Sequence, residues 1–353
     1  MKIDLSRKNL TVLDISLFDN VEITELQYDF NQIKSLPSEI GNLINLQKLH
    51  CCFNQIKSLP SEICNLINLQ NLSYRNNQIK SLPNEIGNLI NLQILNCSYN
   101  QIKSLPNEIG KLINLRKLYC NHNQKLYCDE NQIESLPSEI GNLVKLQKLD
   151  CSFNRIKSLP SEIGNLINLQ KLICDCNKIE SLPNEITNLI SLQKLICSRN
   201  KIKSLSSEIG NLVNLRQLIC NYNEIKSLPS EIINLISLQK LFCDNNQIVL
   251  LPNEITNLIS LQELSCSNNQ ITSLPSEITN LVNLQHFNYS NNQIEHIPPN
   301  VVRFIQRLED LNHNVQNIYR DTQNIHNHTI QSCIKKSIKN ILNHKPCIEN
   351  HIE

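Results

Sequence analysis

Six histidine and cysteine residues near the C-terminus are the side chains best suited to chemistry. They are His326, His328, Cys333, His344, Cys347 and His351. Imidazole and thiolate groups are the ligands that zinc prefers, and the H-x-H and H-x-x-C spacings favour a metal site. The full spacing matches no established zinc motif, however, and the group spans a predicted helix. A polar tail explains these residues equally well, so metal binding is the alternative hypothesis and no cofactor is predicted.

A second group with reactive side chains is a column of cysteines. Ten of the 15 cysteines occupy one position of a repeat: Cys51, Cys97, Cys120, Cys128, Cys151, Cys174, Cys197, Cys220, Cys243 and Cys266. Steps of mostly 23 residues do not suit a metal site, whereas stacked neighbours about 4.8 Å apart at the backbone leave disulfides open. Because the N-terminus has no apolar secretory segment, we expect a reduced cytoplasmic protein whose buried thiols serve as small apolar side chains.

The sequence contains no arrangement typical of an enzyme. It lacks a glycine-rich phosphate loop, an H-E-x-x-H motif and a G-x-S-x-G motif. Carboxylates recur at a regular spacing instead of pairing in a pocket. The net charge of +1 does not indicate binding to nucleic acid or to an anionic membrane. The sequence also lacks an apolar run of about 18 residues, so no membrane span is predicted. A non-catalytic protein without nucleic-acid or membrane partners is therefore predicted.

The elements that position these residues are copies of one repeat, which Leu46–Leu69 represents. Counting Leu46 as position 1, apolar residues fall at positions 1, 4, 6, 11, 14, 18 and 21. The segment Lys48–Cys52 alternates with period two, which predicts a short strand. Asn54 predicts a bend, and Pro60 with Ser61 as N-cap predicts one loose helical turn. Ordering one repeat costs more free energy than its burial returns, so the repeats must stack.

An asparagine ladder marks the repeats. Its members are Asn31, Asn54, Asn77, Asn100, Asn131, Asn154, Asn177, Asn200, Asn223, Asn246, Asn269 and Asn292. Every step is 23 residues except the step of 31 residues from Asn100 to Asn131, where KLYCNHNQ at 117–124 is followed by KLYCDENQ at 125–132. Eight residues cannot make a whole turn, so one copy is predicted to form the strand and the other to bulge. The insertion is either a neutral duplication or a loop on the binding face.

The outside of the coil carries two charged columns. Position 12 is mostly lysine: Lys34, Lys57, Lys80, Lys103, Lys157, Lys203 and Lys226. Position 17 is glutamate from Glu39 to Glu277. A solvated surface is the simpler interpretation, because exposed ion pairs contribute only about 0–1 kcal/mol each. A strip for an acidic partner is the alternative.

The chain divides into three parts. Residues 1–22 hold a degenerate repeat and are predicted to form an N-terminal cap, and residues 23–297 form about 12 repeats. After Pro298, the apolar period changes to that of an amphipathic helix with Asn300 as N-cap, and a second helix follows the polar segment Asp321–Asn324. Residues 298–353 are therefore predicted to be a C-terminal helical cap and tail.

A candidate binding surface lies on the strands, at positions 3, 5, 7, 8 and 10. Its large side chains are Phe30, Phe53, Arg75, Tyr99, Tyr119, Tyr127, Phe153, Arg199, Tyr222 and Phe242. Aromatic residues and arginine anchor protein interfaces. The position-8 aromatics are equally explained by packing on the next turn, and both interpretations stay open.

The phrases LPSEIGNLINLQKL and NQIKSLP resemble the Ras-group leucine-rich repeat proteins of the cytoplasm, over residues 23–297. The cysteine column and the tail QNIHNHTIQSCIKKSI are more similar to repeat proteins of giant amoebal viruses. The resemblance implies an interaction role, in the host cytoplasm if the protein is viral. The chain has no recognisable extra domain, so the resemblance does not carry a link to small GTPases.

The predicted fold is an α/β-type solenoid, a right-handed horseshoe with a parallel β-sheet on its concave face. The predicted function is a scaffold that binds a protein partner on that face. We expect the chain to be a monomer.

Overall fold

The computed structural model describes residues 1–121 and 133–310, and each repeat in them forms a three-residue strand. The strands are β1 (Lys2–Asp4), β2 (Glu25–Gln27), β3 (Lys48–His50), β4 (Asn71–Ser73), β5 (Ile94–Asn96), β6 (Lys117–Tyr119), β7 (Lys148–Asp150), β8 (Lys171–Ile173), β9 (Lys194–Ile196), β10 (Gln217–Ile219), β11 (Lys240–Phe242), β12 (Glu263–Ser265) and β13 (His286–Asn288). They pair in parallel and in chain order within one sheet. The predicted leucine-rich solenoid with a parallel sheet is therefore confirmed.

Between the strands, each repeat makes a five-residue 3₁₀ turn. These turns are Ile15–Asp19, Ser38–Asn42, Ser61–Asn65, Asn84–Asn88, Asn107–Lys111, Ser138–Asn142, Ser161–Asn165, Asn184–Asn188, Ser207–Asn211, Ser230–Asn234, Asn253–Asn257 and Ser276–Asn280. The expectation that Ser61 is an N-cap was wrong. Pro60 occupies that position with extended backbone, and the Ser61 hydroxyl donates to the Glu62 carboxylate over 3.2 Å. The proline ring fixes the backbone at the start of the turn, so no side-chain cap is needed.

The duplicated segment enters the sheet through its first copy. Lys117 of β6 pairs with Lys148 of β7 across a step of 31 residues, whereas Leu49 pairs with Leu72 across the usual 23. Tyr127 belongs to the segment 122–132, which lies outside the described residues together with Cys128 and Asn131. The extra eight residues therefore leave the register of the strands on either side unchanged.

One continuous core runs through the solenoid. The central strand residue, such as Leu49, and the residue two positions later, such as Cys51, are fully buried. Tyr28 and Tyr74 occupy the cysteine position in the turns before and after Cys51, and both are also fully buried. From β2 to β12, each turn therefore buries its central strand residue against its two neighbours, whereas β1 and β13 at the two ends leave theirs partly exposed.

The ladder asparagines join successive turns through their side-chain amides. The Asn246 Nδ2 group donates to the carbonyls of Cys243 in its own turn and Cys220 in the preceding turn, both over 3.0 Å. Its Oδ1 accepts the backbone N–H of Ile225 over 3.0 Å. The other described members make the same two donor bonds, as Asn54 does with Tyr28 and Cys51. A single buried amide therefore satisfies backbone groups that the bend removes from the sheet.

A second asparagine column, which the sequence analysis missed, lies in the exposed segment before the strands. Asn68 Nδ2 donates to the carbonyl of Ile44 in the preceding turn over 2.9 Å, and Asn91 does the same with Ile67. Asn45, Asn114, Asn168, Asn214 and Asn283 make equivalent bonds. This second column ties together the turns on the side of the strand that the first ladder does not reach.

A helix, α1, spans residues 299–310. Its buried side chains are Val301, Ile305 and Leu308, as the amphipathic period predicts. The helix begins at residue 299, so Asn300 lies in its first turn and is not the predicted N-cap. Pro299 is suited to that first position, because it needs no N–H partner there. The predicted second helix and the histidine and cysteine residues of the tail lie outside the described residues.

Replacing Asn246 with Ala is expected to lower the free energy of unfolding by at least about 2 kcal/mol, because buried carbonyl and N–H groups lose their partners. Asn257→Ala, at an exposed asparagine of the same repeat, should change it by less than about 0.5 kcal/mol. Urea unfolding followed by circular dichroism measures both. Equal effects of the two substitutions would contradict the bridging role of the ladder.

Candidate functional site

The strand face is the side of the sheet that points away from the core. We define it by three side chains in each repeat: the first and third residues of the strand and the second residue after it. In the repeat of β8 these are Lys171, Ile173 and Asp175, all at least partly exposed. Leu172 and Cys174, which alternate with them, are fully buried. The composition of this face can therefore vary from turn to turn without disturbing the core.

A column of residues with left-handed backbone lines one edge of the strand face. The residues with φ of 53–60° in this column are Arg7, Phe30, Phe53, Asn76, Tyr99, Phe153, Cys176, Arg199, Tyr222, Asn245, Asn268 and Asn291. A side chain other than glycine or asparagine costs roughly 1–2 kcal/mol in this conformation. Inter-turn hydrogen bonds hold it, as in the bond of 2.8 Å from the Phe53 N–H to the Arg75 carbonyl.

Arg7, Phe30, Phe53, Arg75 and Tyr99 form one continuous aromatic–arginine stack. The rings of Phe30 and Phe53 are nearly parallel, with centroids 4.3 Å apart. The Arg7 guanidinium lies 4.8 Å from the Phe30 centroid. The Arg75 guanidinium lies 5.7 Å from the ring of Phe53 and 4.6 Å from that of Tyr99, so it bridges two turns. The stack links neighbouring turns while Phe30 remains 46% exposed.

Four more of the predicted binding residues lie further along the sheet. The Lys148 ammonium is 4.5 Å from the centroid of Tyr119. The Arg199 guanidinium is 4.6 Å from the centroid of Tyr222, whose side chain is exposed. Phe153 belongs to the left-handed column and is half-buried. The predicted residues therefore form separate groups along the solenoid instead of a single patch.

An apolar strip, which the sequence analysis missed apart from its last residue, crosses the middle of the strand face. It consists of the third residues of β8 to β11, namely Ile173, Ile196, Ile219 and Phe242. These residues are in register across adjacent strands, and all are partly exposed. At about 4.8 Å per strand the strip is roughly 14 Å long. The sequence carried the signal, since position 5 is apolar in four successive repeats only here.

A row of lysines borders the apolar strip on one side. Lys148, Lys171, Lys194 and Lys240 are the first residues of β7, β8, β9 and β11. Burial lowers the pKa of Lys194, and repulsion from the other three lysines lowers it further. Lys240 pairs with Glu263 over 2.6 Å, whereas the other three make no ion pair within residues 1–121 and 133–310. This border therefore presents positive charge that the described chain leaves uncompensated.

The opposite border of the strip, formed by the second residues after the strands, is polar. The Asp244 Oδ1 on this border accepts the backbone N–H of Ser267 over 2.8 Å and its hydroxyl over 2.7 Å. Asp175 on the same border accepts the Cys176 thiol over 3.7 Å. In line with the strip, at its β7 end, the Asp150 Oδ1 accepts the Ser152 hydroxyl over 2.7 Å. The positive charge beside the strip is that of the lysine row.

The described members of the cysteine column are free, fully buried thiols. Each of eight donates to a carbonyl of the next turn, as Cys97 does to Tyr119 over 3.2 Å and Cys174 to Ile196 over 3.4 Å. Burial raises the pKa of Cys97 and Cys197 to about 12. A thiol with so high a pKa is a poor nucleophile, so the described thiols of this column are poorly suited to react at neutral pH.

The described residues bring together no group of three or more His, Cys, Asp or Glu side chains that could hold a metal ion. None of the helices within residues 1–121 and 133–310 has the length and apolarity needed to cross a bilayer. The metal-ligand candidates of the tail lie beyond residue 310 and stay a prediction.

The repeat geometry agrees with matches to known families. A model of the leucine-rich repeat region matches residues 61–129, 125–200 and 195–270, and a leucine rich repeat model matches residues 45–66 and 260–281. The chain therefore belongs to the leucine-rich repeat family. Proteins of this family are generally non-catalytic binding scaffolds.

Solved structures of other leucine-rich repeat proteins share the fold. A leucine-rich repeat protein of Leptospira interrogans is 36% identical, with a TM-score of 0.69 over 85% of this chain and 80% of that chain. An internalin of Listeria monocytogenes is 26% identical, with a TM-score of 0.70 over 84% and 81%. The plant peptide hormone receptor RGFR1 in complex with RGF2 is 26% identical, with a TM-score of 0.54 over 80% and 53%. No curated protein matches the chain.

We expect iodoacetamide at pH 8 to label Cys52 and Cys176 in the folded protein and to leave the buried column unlabelled. Burial raises the pKa of Cys176 only to about 11, and both side chains are partly exposed. Raising the pH toward the pKa should speed their labelling, because a larger fraction of each thiol is then ionised to the reactive thiolate. Mass spectrometry of the peptides before and after unfolding in urea measures this. Labelling of Cys197 in the folded protein would contradict the prediction.

Proposed function

We propose that this chain is a non-catalytic binding module that holds a protein partner on its strand face. The observation that carries the proposal is the apolar strip of β8 to β11 beside Lys148, Lys171 and Lys194, which make no ion pair among the described residues. Apolar side chains exposed in register lose water on contact with a partner, and the sheet needs no rearrangement to meet it, which lowers the cost of binding.

The chemistry of the strip indicates the kind of partner segment. Apolar side chains of the partner would cover Ile196 and its neighbours, and carboxylates on one side would face Lys171 and Lys194. Such charges would raise the association rate and fix the orientation of the segment. The aromatic–arginine stack would supply a second contact region, because aromatic and arginine side chains are the frequent anchors of protein interfaces.

The surroundings of the module are also a proposal. Residues 1–22 would cap the first turn and residues 298–353 the last, since terminal repeats expose core side chains unless they are covered. A cytoplasmic location, in an infected host if the chain is viral, is supported by the free thiols. Metal binding by the histidines and cysteines beyond residue 310 remains the second candidate function, and zinc analysis of the purified protein tests it.

The double variant Lys171→Glu, Lys194→Glu should lose at least roughly tenfold in affinity for the partner, because attraction across the interface becomes repulsion. Lys157→Glu with Lys203→Glu makes the same charge change in the exposed outer column and serves as the matched control. The partner would first be captured with the wild-type chain and identified by mass spectrometry. Its Kd for each variant then follows from calorimetry, and equal values for both double variants would exclude the lysine row.

The triple variant Phe53→Ala, Tyr99→Ala, Phe153→Ala tests the aromatic contacts in the same assay. We expect a loss of roughly tenfold or more in affinity, since buried aromatic anchors each contribute more than about 1 kcal/mol. Far-ultraviolet circular dichroism spectra of the triple variant check that its fold is intact. An unchanged Kd would place the interface away from these side chains.

A further inference from the structure

An exposed apolar column lies off the strand face, in the segment between each 3₁₀ turn and the next strand. We call it the isoleucine ridge, and it consists of Val21, Ile44, Ile67, Ile90, Ile113, Val144, Ile167, Ile190, Val213, Ile236, Ile259 and Val282. Every one of these side chains is exposed, from 42% at Val213 to 75% at Val282. Twelve successive turns therefore present a β-branched apolar residue to solvent at the same position.

The backbone under the ridge is fixed from turn to turn. The N–H of Ile67 donates to the carbonyl of Asn65 over 2.8 Å, and the carbonyl of Ile67 accepts from Asn91 of the next turn over 2.9 Å. The same pair of bonds holds Ile90 through Asn88 and Asn114. The hydrogen bonds of the turn use both backbone groups and make no demand on the side chain. Isoleucine and valine are therefore present for the surface they make, on a preorganised support.

The residues that flank the ridge carry almost no charge. Two positions flank each ridge residue in the sequence: the residue two before it and the residue directly after it. In the repeats from Asn42 to Asn283, both are asparagine or serine, except at Lys111 and Lys145. Covering the ridge would therefore bury few ionised groups. It would avoid the desolvation cost of charges that usually opposes the burial of a surface. A partner that carries the same uncharged amides and apolar side chains would match this border.

The area of the ridge is that of a protein interface. With about half of each residue exposed, the twelve ridge residues together have an accessible surface on the order of 1,000 Å². This area exceeds the roughly 300–600 Å² of the largest apolar patch on typical monomers. A stable interface takes about 800 Å² from each partner. At about 4.8 Å per turn, the ridge is roughly 50 Å long.

We propose that the isoleucine ridge is a homodimer interface, in which two copies of this chain pack ridge against ridge about a two-fold axis parallel to the ridge. A second copy supplies the same spacing of side chains, so each isoleucine of one chain faces the equivalent isoleucine of the other along the whole length. Two-fold pairing uses one patch on both subunits and closes without forming a filament. The interface is independent of the strand face, so each subunit of the dimer keeps its proposed partner surface. This differs from the sequence-based expectation of a monomer, which stays a prediction.

The test is the mass of the full chain in solution, measured by sedimentation velocity from about 1 to 100 µM. We expect twice the 40.6 kDa mass of the chain. The triple variant Ile167→Lys, Ile190→Lys, Ile236→Lys should be monomeric over the same range. Ser181→Lys, Ser204→Lys, Ser227→Lys adds equal charge at exposed serines of the same region and should remain a dimer.

A mixing experiment separates loss of the interface from loss of the fold. Ile167→Glu, Ile190→Glu, Ile236→Glu should also be monomeric alone, and equimolar mixing of the glutamate and lysine variants should restore the mass of a dimer. Circular dichroism confirms that each variant is folded. A monomeric wild-type chain at 100 µM overturns the proposal, as does a dimer that the ridge substitutions leave intact or a ridge that binds neutral phosphatidylcholine vesicles as a monomer.

Discussion

Each turn of this protein depends on its neighbours for the hydrogen bonds that its own backbone cannot make. The strands are only three residues long, and the chain bends sharply after each one. The side chain of a ladder asparagine such as Asn246 spans that gap, because its amide donates to carbonyls of two turns and accepts an N–H from one. An unpaired buried amide or carbonyl costs about 1–3 kcal/mol. The spacing of 23 residues is therefore a geometric requirement, and the insertion is accommodated only because it leaves the stacked strands in register.

Once the ladder and the core fix the turns, the surfaces are free to differ in composition. The strand face changes from the aromatic–arginine stack to the apolar strip and its lysine row, and then to serine and asparagine in β12 and β13. The isoleucine ridge does the opposite and repeats almost unchanged along the chain. A surface that varies is suited to one specific partner, whereas a surface that repeats is suited to another copy of itself. The two surfaces therefore have different proposed roles.

The left-handed column combines backbone strain with side-chain stacking. Phe53 is not suited to a positive φ, yet its ring stacks on Phe30 and faces Arg75. Asn76, Asn245 and Asn268 occupy the same position at lower conformational cost. The aromatic residues therefore trade backbone preference for side-chain contacts within the chain. Packing on the neighbouring turn accounts for these contacts, and a role in binding stays a prediction.

The sequence alone determined the repeat, its buried positions and the parallel sheet, because these follow from a period that neighbouring residues carry. Leu49, Cys51 and Asn54 could be assigned in this way. The tertiary structure decided the features that depend on contacts between neighbouring turns, whose equivalent residues are 23 positions apart. It placed the strand in the first of two nearly identical copies, aligned Ile173 with Ile196, and left Ile67 exposed although Leu66 beside it is fully buried. Leu66 and Ile67 are both hydrophobic, so hydrophobicity alone does not indicate which of them is buried. The position of the neighbouring turn decides which side chain is covered.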